Sequence, residues 1–190
     1  VTIVPFYDRG NLVERAVSTV TKALGEAIVL VLVLLLLFLG NLRAALVVAV
    51  ILPLSALATF VLMQRWGLSA NLMSLGGLAI AIGMLVDAAV VVVENIEARQ
   101  SESGISRLHT LYRATQEVAT PVSAGVVVIM IVFLPLLTLQ GLEGKLFSPV
   151  ALTIVFALGA SLVLSLTVIP VLASVALRSG HHGAPRLVRQ

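Results

Sequence analysis

The chain has 190 residues, of which 59% are hydrophobic and only 11% are charged, and its mean hydropathy is +1.13. An ordinary globular domain carries about 25% charged residues, so this composition excludes a water-soluble domain and indicates a membrane protein. The net charge of +3 shows no clustered basic patch with interleaved aromatic residues, so we expect no nucleic-acid partner. Cysteine is absent, which excludes a disulfide framework and a thiolate metal site.

Five apolar blocks, each comparable to the roughly 20 residues that cross a bilayer, are separated by short charged gaps. They predict an all-α membrane bundle with transmembrane helices at 16–40, 44–63, 71–97, 120–140 and 148–177. The first helix begins in an amphipathic stretch, where Val17, Val20 and Leu24 recur at helical spacing, and this indicates entry from an aqueous domain. Residues 1–15 open with the β-branched run VTIVPFYD, which we interpret as the strand remnant of an extracytoplasmic domain.

The segment between the third and fourth blocks, residues 102–119, has apolar residues at helical spacing among charged ones. It predicts a short amphipathic helix on the cytoplasmic surface. Thr120 followed by Pro121 is typical of an N-cap and a first helical residue. We therefore expect the next membrane helix to begin there as a separate element.

The basic residues in the gaps predict the orientation. If the five blocks alternate sides, one side holds Arg43, Arg99, Arg107, Arg113, Arg178, Arg186 and Arg189. With the N-terminal stretch left aside, the other side holds Arg65 and Lys145. Positive charge is retained in the cytoplasm, so the N-terminus is predicted to be extracytoplasmic and the tail 178–190 cytoplasmic. We interpret His181 and His182 in that tail as solvated, because a metal site needs more converging ligands.

The third block contains two acidic residues, Asp87 and Glu94, where a charged side chain is unfavourable in a membrane. Asp87 lies about 6 Å past the middle of the block at 1.5 Å per residue. Glu94, seven residues further, falls on nearly the same helix face, near the cytoplasmic interface. The same stripe contains Gly76, Ile80, Gly83 and Val90. Because small residues let another helix approach closely, we expect both acids to face protein.

A carboxylate near the bilayer centre costs about 2.5 to 3.5 kcal/mol unless it is paired or protonated. Intramembrane acids usually mark relays, so Asp87 is predicted to be a proton-relay acid, with a structural hydrogen-bonding acid as the alternative. Its basic partner is expected on another segment, because the apolar spans 24–40, 44–63, 71–94, 122–140 and 150–177 contain no lysine or arginine. Glu94 is expected either to pass the proton on toward the cytoplasm or to be a solvated residue at the end of the helix. With no phosphate-binding loop and no paired nucleophile and base, we expect a proton-driven transporter and not an enzyme.

Four stretches resemble the resistance-nodulation-division (RND) transporters, and best their heavy-metal efflux branch. SLGGLAIAIGMLVDAAVVVVENIEAR, residues 74–99, is similar to the fourth transmembrane helix of that family. The exit from the first periplasmic porter domain of the family is similar to FYDRGNLVERA, residues 6–16. The link between its helices two and three is similar to LFLGNLRAALVVAVILPLS, residues 37–55. The turn between its helices five and six is similar to LTLQGLEGKLFSPVALT, residues 137–153. The resemblance extends to about Arg178. It implies a fragment, helices two to six, of a twelve-helix RND-type bundle.

The resemblance also implies roles and partners. Asp87 matches the essential proton-relay acid of the family, which pairs with a lysine on a later helix beyond this chain. The resemblance implies a location in the bacterial inner membrane and a longer protomer that assembles as a homotrimer. It also implies two partners, a periplasmic adaptor and an outer-membrane channel. Multidrug members usually carry two consecutive aspartates, whereas Ala88 follows Asp87 here, which favours the metal branch. A multidrug exporter and a non-transporting membrane scaffold are the alternatives.

The transported ion is predicted to be Cu(I) or Ag(I), or else another heavy-metal cation, with no resident cofactor. In the family, exporters of divalent zinc, cobalt and cadmium often have an aspartate six residues before the relay acid, where this chain has Ala81. Met73 falls where copper and silver exporters have a methionine proposed to pass soft ions, and thioethers suit such ions. Apolar packing is the alternative role of Met73.

Overall fold

The computed structural model describes residues 9–39, 41–102 and 107–176, and every regular element in these ranges is a helix. The five helices are α1 (Arg9–Leu39), α2 (Leu42–Arg65), α3 (Leu72–Glu102), α4 (Arg107–Leu137) and α5 (Gly141–Ala176). Each is long and apolar enough to cross a membrane. The predicted all-α membrane fold is therefore confirmed. The predicted N-terminal strand remnant and the tail with its two histidines lie outside the described residues.

Helix α3 is the centre of the bundle and packs against all four other helices. Helix α5 also packs against α2 and α4, and α1 also packs against α2. Over their described residues α1 and α4 do not contact each other, so they flank α3 separately. The core lies between these helices and includes the buried side chains of Leu78, Ile82 and Leu158.

The approach of α3 to α5 depends on small residues. A Cβ atom built on Gly77 would lie 2.8 Å from the carbonyl oxygen of Val150, so only glycine fits without a shift of backbone. Further along α3, the hydroxyl of Ser161 on α5 donates a buried hydrogen bond of 2.8 Å to the carbonyl oxygen of Leu85. Close packing at small residues and interhelical hydrogen bonds both stabilise contacts between membrane helices.

Short connections join the helices. Asn41 caps α2, because its Oδ1 accepts a hydrogen bond of 3.0 Å from the backbone N–H of Arg43. At the start of α3, the backbone N–H of Ser74 donates to Asn71 Oδ1 and that of Asn71 donates to Ser74 Oγ, both at 2.9 Å. Gly141, with φ of +72°, begins α5 in the left-handed region that favours glycine.

The predicted break at Thr120 and Pro121 is wrong. The structure has one helix, α4, that runs through both residues, with Pro121 in its interior. The amphipathic first half of α4 buries Leu111 and Ala114 in the core, and the amide of Asn95 on α3 donates to the carbonyl oxygen of Ala114 at 2.7 Å. These contacts hold the segment in line with the membrane-spanning half, and a membrane helix tolerates the one backbone donor that proline removes.

Two helices begin earlier than the hydropathy predicted. Helix α1 begins at residue 9 and not at 16, and α5 begins at residue 141 and not at 148. In both cases the added turns are polar or contain glycine, so they fall outside the apolar block although they continue the same helix. Most of the predicted turn at 137–153 is consequently helical, and the connection between α4 and α5 is only Thr138 to Gln140.

Candidate functional site

Asp87 is the middle residue of α3 and is exposed. Gly76, Ile80, Gly83 and Glu94 are exposed with it and lie at spacings that return to the same helix face. These five residues are called the open stripe here. The predicted stripe is therefore exposed at these five positions, from near the start of α3 to beyond its middle. Val90, which was also predicted to lie on it, is half-buried and packs against the core.

The expectation that both acids face protein is not met within the described chain. Leu85, whose carbonyl oxygen is bonded to α5, is two residues from Asp87 and so about 200° away around the helix. Over residues 9–39, 41–102 and 107–176, no side chain forms a hydrogen bond or an ion pair with Asp87. The neighbours of α3 occupy its other sides and leave the acids uncovered.

Helix α3 has a second small-residue surface, which consists of Gly77, Ala81 and Ala88 and is called the closed face here. Ala81 and Ala88 are 0% and 5% exposed, and Gly77 touches the backbone of α5. On the open stripe, by contrast, a Cβ atom built on Gly76 or Gly83 would meet no atom within 4 Å. The two glycines therefore leave room beside Asp87 for the backbone of another helix.

Polar side chains tie the C-terminal end of α3 to its neighbours, and sequence reasoning did not find them as a group. Arg99 Nε forms an ion pair of 3.0 Å with Glu117 Oε2 on α4. Asn41, the N-cap of α2, donates through Nδ2 to Glu97 Oε1. With the bond from Asn95 to α4, these residues form the polar clasp. The sequence signal for this group was the placing of polar residues at 95, 97 and 99, at the end of an apolar run. At this spacing, residues 95 and 99 lie on one helix face and residue 97 on the opposite face, so they can contact two different neighbours.

Met73 lies in the first turn of α3 and is 38% exposed. Met63 is buried and accepts a hydrogen bond of 3.9 Å from the hydroxyl of Thr153. The methyl carbon of Met130 lies 3.4 Å from a Cβ atom built on Gly159. The described residues contain no group of three or more histidine, aspartate and glutamate side chains that could hold a metal ion.

The chain is similar to metal-resistance proteins along nearly its whole length. The model of the AcrB/AcrD/AcrF family matches residues 1–189. The chain is 46% identical over 195 residues to the cobalt-zinc-cadmium resistance protein CzcA of Cupriavidus metallidurans, a match that covers 98% of this chain and 18% of CzcA. It is 38% identical over 182 residues to the cation efflux system protein CusA of Escherichia coli K12, over 90% of this chain and 17% of CusA.

A solved crystal structure of a heavy metal efflux pump has the same fold in this region. It matches with a TM-score of 0.73 and 45% identity, over 90% of this chain and 17% of the pump chain. This chain therefore spans less than a fifth of the length of these relatives.

Proposed function

Because the chain belongs to the AcrB/AcrD/AcrF family, we propose that it is the transmembrane part of a proton-driven pump that exports heavy-metal cations across the bacterial inner membrane. The observation that carries this proposal is Asp87 in the middle of a membrane-length helix, on a stripe with room for another helix. The names of CzcA and CusA support a metal cation as cargo. The proposal includes a longer protomer, a homotrimer, a periplasmic adaptor and an outer-membrane channel.

Proton coupling follows from the position of Asp87. A helix from another part of the protomer covers the open stripe and brings a lysine to Asp87. In an apolar helix interface a carboxyl group favours its neutral form, whereas a nearby cation favours the carboxylate. Movement of the lysine therefore makes Asp87 take up or release a proton. Glu94, seven residues and about 10 Å along the same stripe, receives the released proton on its way to the cytoplasm.

The contacts of α3 give this protonation step a path to the rest of the bundle. The close approach at Gly77 and the bond from Ser161 to Leu85 make α3 and α5 move together. The polar clasp joins the C-terminal end of α3 to α4 and to the start of α2. Helix α1 packs on α3 and continues at its N-terminal end toward the proposed porter domain. A displacement of α3 therefore reaches the periplasmic metal path through α1.

The relay is tested in a chimera in which this chain replaces the matching segment of CzcA. We expect Asp87→Asn to abolish resistance to cobalt, zinc and cadmium salts, because an amide retains hydrogen bonding but cannot exchange a proton. Glu143→Gln, at an exposed acid in the first turn of α5, is the matched control and should retain resistance. The amount of each variant in the membrane is measured by immunoblot. Resistance retained by Asp87→Asn at equal abundance would favour the scaffold alternative.

For the ion, we propose Cu(I) or Ag(I), with Met73 as a ligand on the path. The support is a thioether that is partly exposed at the extracytoplasmic start of α3. A divalent cation is the second candidate, favoured by the higher identity to CzcA than to CusA. A metal-sensitive strain that expresses the complete pump distinguishes them by growth on copper and silver salts, on zinc, cobalt and cadmium salts, and on drugs. Met73→Leu should lower protection against copper and silver only.

A further inference from the structure

Two buried serines on different helices have hydroxyl groups without a hydrogen bond. Ser55 on α2 and Ser165 on α5 are both 0% exposed, and neither Oγ has a hydrogen-bond partner among the described residues. The hydroxyl groups of Thr59 and Thr153, on the same two helices, each donate at 2.7 Å to a carbonyl oxygen of their own helix. An unpaired hydroxyl in an apolar interior lowers stability. An arrangement that pairs Ser55 with Ser165 therefore removes two unfavourable groups at once.

Both serines lie on buried ridges of their helices, in which residues recur every four positions. The α2 ridge consists of Val47, Ile51, Ser55, Thr59 and Met63, and the α5 ridge consists of Thr153, Ala157, Ser161, Ser165, Ile169 and Ala173. The two ridges touch where α2 ends and α5 begins, because the hydroxyl of Thr153 donates to the sulfur of Met63 at 3.9 Å. Small residues occupy the middle of both ridges, so the two backbones can approach each other closely there.

Ser55 and Ser165 lie at similar depths between two ends of the contact. At one end Met63 meets Thr153, and at the other Val47 and Leu172 line the same groove. Ser55 is midway between these ends on α2, and residues 161–165 are midway on α5. The hydroxyl of Ser161 is already bonded to α3, so Ser165 is the available partner, within about one helical turn of Ser55 in depth.

The contact between α2 and α5 is open at its groove end. The groove there has a volume of about 360 Å³, and the side chains of Val50 and Val175, which are 50% and 73% exposed, line it from the two helices. The contact between α3 and α5 is tighter, because the backbone of Val150 leaves no space for a Cβ atom on Gly77. A thioether sulfur is only a weak acceptor, so the bond at Met63 fixes α2 to α5 less firmly.

We propose that α2 and α5 have a second, closed arrangement, in which α2 turns about its contact at Met63 until the groove closes and Ser55 and Ser165 share a hydrogen bond. Ser55 is about 12 Å and Val50 about 20 Å from Met63 along the helix, so an approach of about 2 Å at the serines moves Val50 about 3 Å nearer to α5. The start of α2 moves furthest, together with Asn41 and its bond to Glu97 on α3. This proposal does not rest on the transport function, because both arrangements belong to the chain itself.

The absence of cysteine in the chain allows closure of the groove to be measured by cross-linking. Val50→Cys and Val175→Cys are introduced together, and the chain is placed in phospholipid bilayers. The initial rate of cross-linking by a short bifunctional thiol reagent is then recorded. Because the structure is open, this rate measures the smaller closed population. The rate at which each cysteine reacts with a monofunctional reagent corrects for its accessibility.

Serine variants test whether the two hydroxyl groups stabilise the closed arrangement. Ser55→Ala should lower the cross-linking rate at least about tenfold, because it removes the bond in the closed arrangement and an unpaired hydroxyl in the open one. Ser165→Ala, and the two replacements together, should give the same fall, since either one alone already removes the bond. Thr167→Val, at an exposed hydroxyl that bonds within α5, should leave the rate unchanged.

Four results would overturn the proposal. The first is a parent pair that does not cross-link, and the second is a rate that stays the same in the serine variants. The third is a double variant in which the two falls multiply, because the hydroxyl groups would then act separately. The fourth is an equal fall in Thr167→Val, which would show that the loss of any hydroxyl on α5 has the same effect.

Discussion

The closed face and the open stripe of α3 are built from the same kind of residue but end in different surroundings. On the closed face, Gly77 and Ala81 are covered by protein within this chain. On the open stripe, a Cβ atom built on Gly76 or Gly83 would meet no atom within 4 Å, and Asp87 lies between the exposed residues Gly83 and Glu94. Small residues mark where a second backbone can approach a membrane helix, so α3 has two surfaces that allow such close approach. Among the described residues, only the closed face, which has no ionisable group, is covered by a neighbouring helix.

The largest effect is expected from a methyl group added to the closed face. Gly77→Ala should lower the free energy of unfolding of the chain by about 1 to 3 kcal/mol, the usual cost of overpacking, because its Cβ would press on the Val150 carbonyl. Gly76→Ala, the adjacent glycine on the open stripe, should instead raise it by about 0.4 to 1 kcal/mol, because its Cβ meets no atom and alanine restricts the unfolded chain. Unfolding by sodium dodecyl sulfate in mixed micelles, followed by circular dichroism, measures both. Equal losses would remove the distinction between the two surfaces.

A smaller effect is expected at the hydrogen bond behind the closed face. Ser161→Ala removes the buried bond to the Leu85 carbonyl and should lower the free energy of unfolding by about 0.6 kcal/mol, the mean for such bonds between membrane helices. Thr167→Val is the control, because the Thr167 hydroxyl is exposed and bonds within its own helix to Val163. The same unfolding assay applies. If Thr167→Val lowered the free energy of unfolding more than Ser161→Ala does, the hydrogen bond between α3 and α5 would have no particular role in stability.

The ion pair of the polar clasp should contribute less. Arg99 and Glu117 are about half exposed, so solvent screens their attraction and Glu117→Gln should lower the free energy of unfolding by only about 0.3 kcal/mol. Because surface ion pairs weaken with salt, the difference between the variant and the parent should shrink further in concentrated sodium chloride. A difference that is independent of salt would mean that Glu117 acts through its hydrogen bond with Asn95 instead.

At the acid itself, no contact within the described residues predicts a loss of stability of this chain. Asp87→Asn should change the free energy of unfolding by less than about 0.5 kcal/mol, because Asp87 is exposed and no described side chain bonds to it. Gly83→Leu should be equally harmless in the chain but should abolish metal resistance in the complete pump, because the proposed covering helix would meet the leucine side chain. Unfolding of the chain and growth of the strain are measured side by side. Strong destabilisation of the chain by Asp87→Asn would show that the acid has a structural role within it.

The sequence predicted five membrane-spanning helices and the family resemblance, and both are confirmed. It also predicted that Asp87 and Glu94 share a face, since helical periodicity depends only on local spacing. It could not show which small-residue face is covered, because that depends on neighbours distant along the chain. The polar clasp was missed for the same reason, as Arg99 and Glu117 are 18 residues apart on different helices. At Thr120 and Pro121 a local capping signal was overridden by the contacts of Leu111 and Ala114.

The open stripe also has a consequence for biogenesis. Helix α3 is synthesised before any later segment of the chain that could cover it. When α3 enters the bilayer, the carboxyl group of Asp87 therefore has no helix packed over it on the side of Gly76 and Gly83. In the proposed pump, Asp87 therefore stays uncovered until the helix that brings the lysine is inserted. In that proposal, the order of synthesis requires the residue that carries protons in the assembled pump to be inserted into the membrane before its partner.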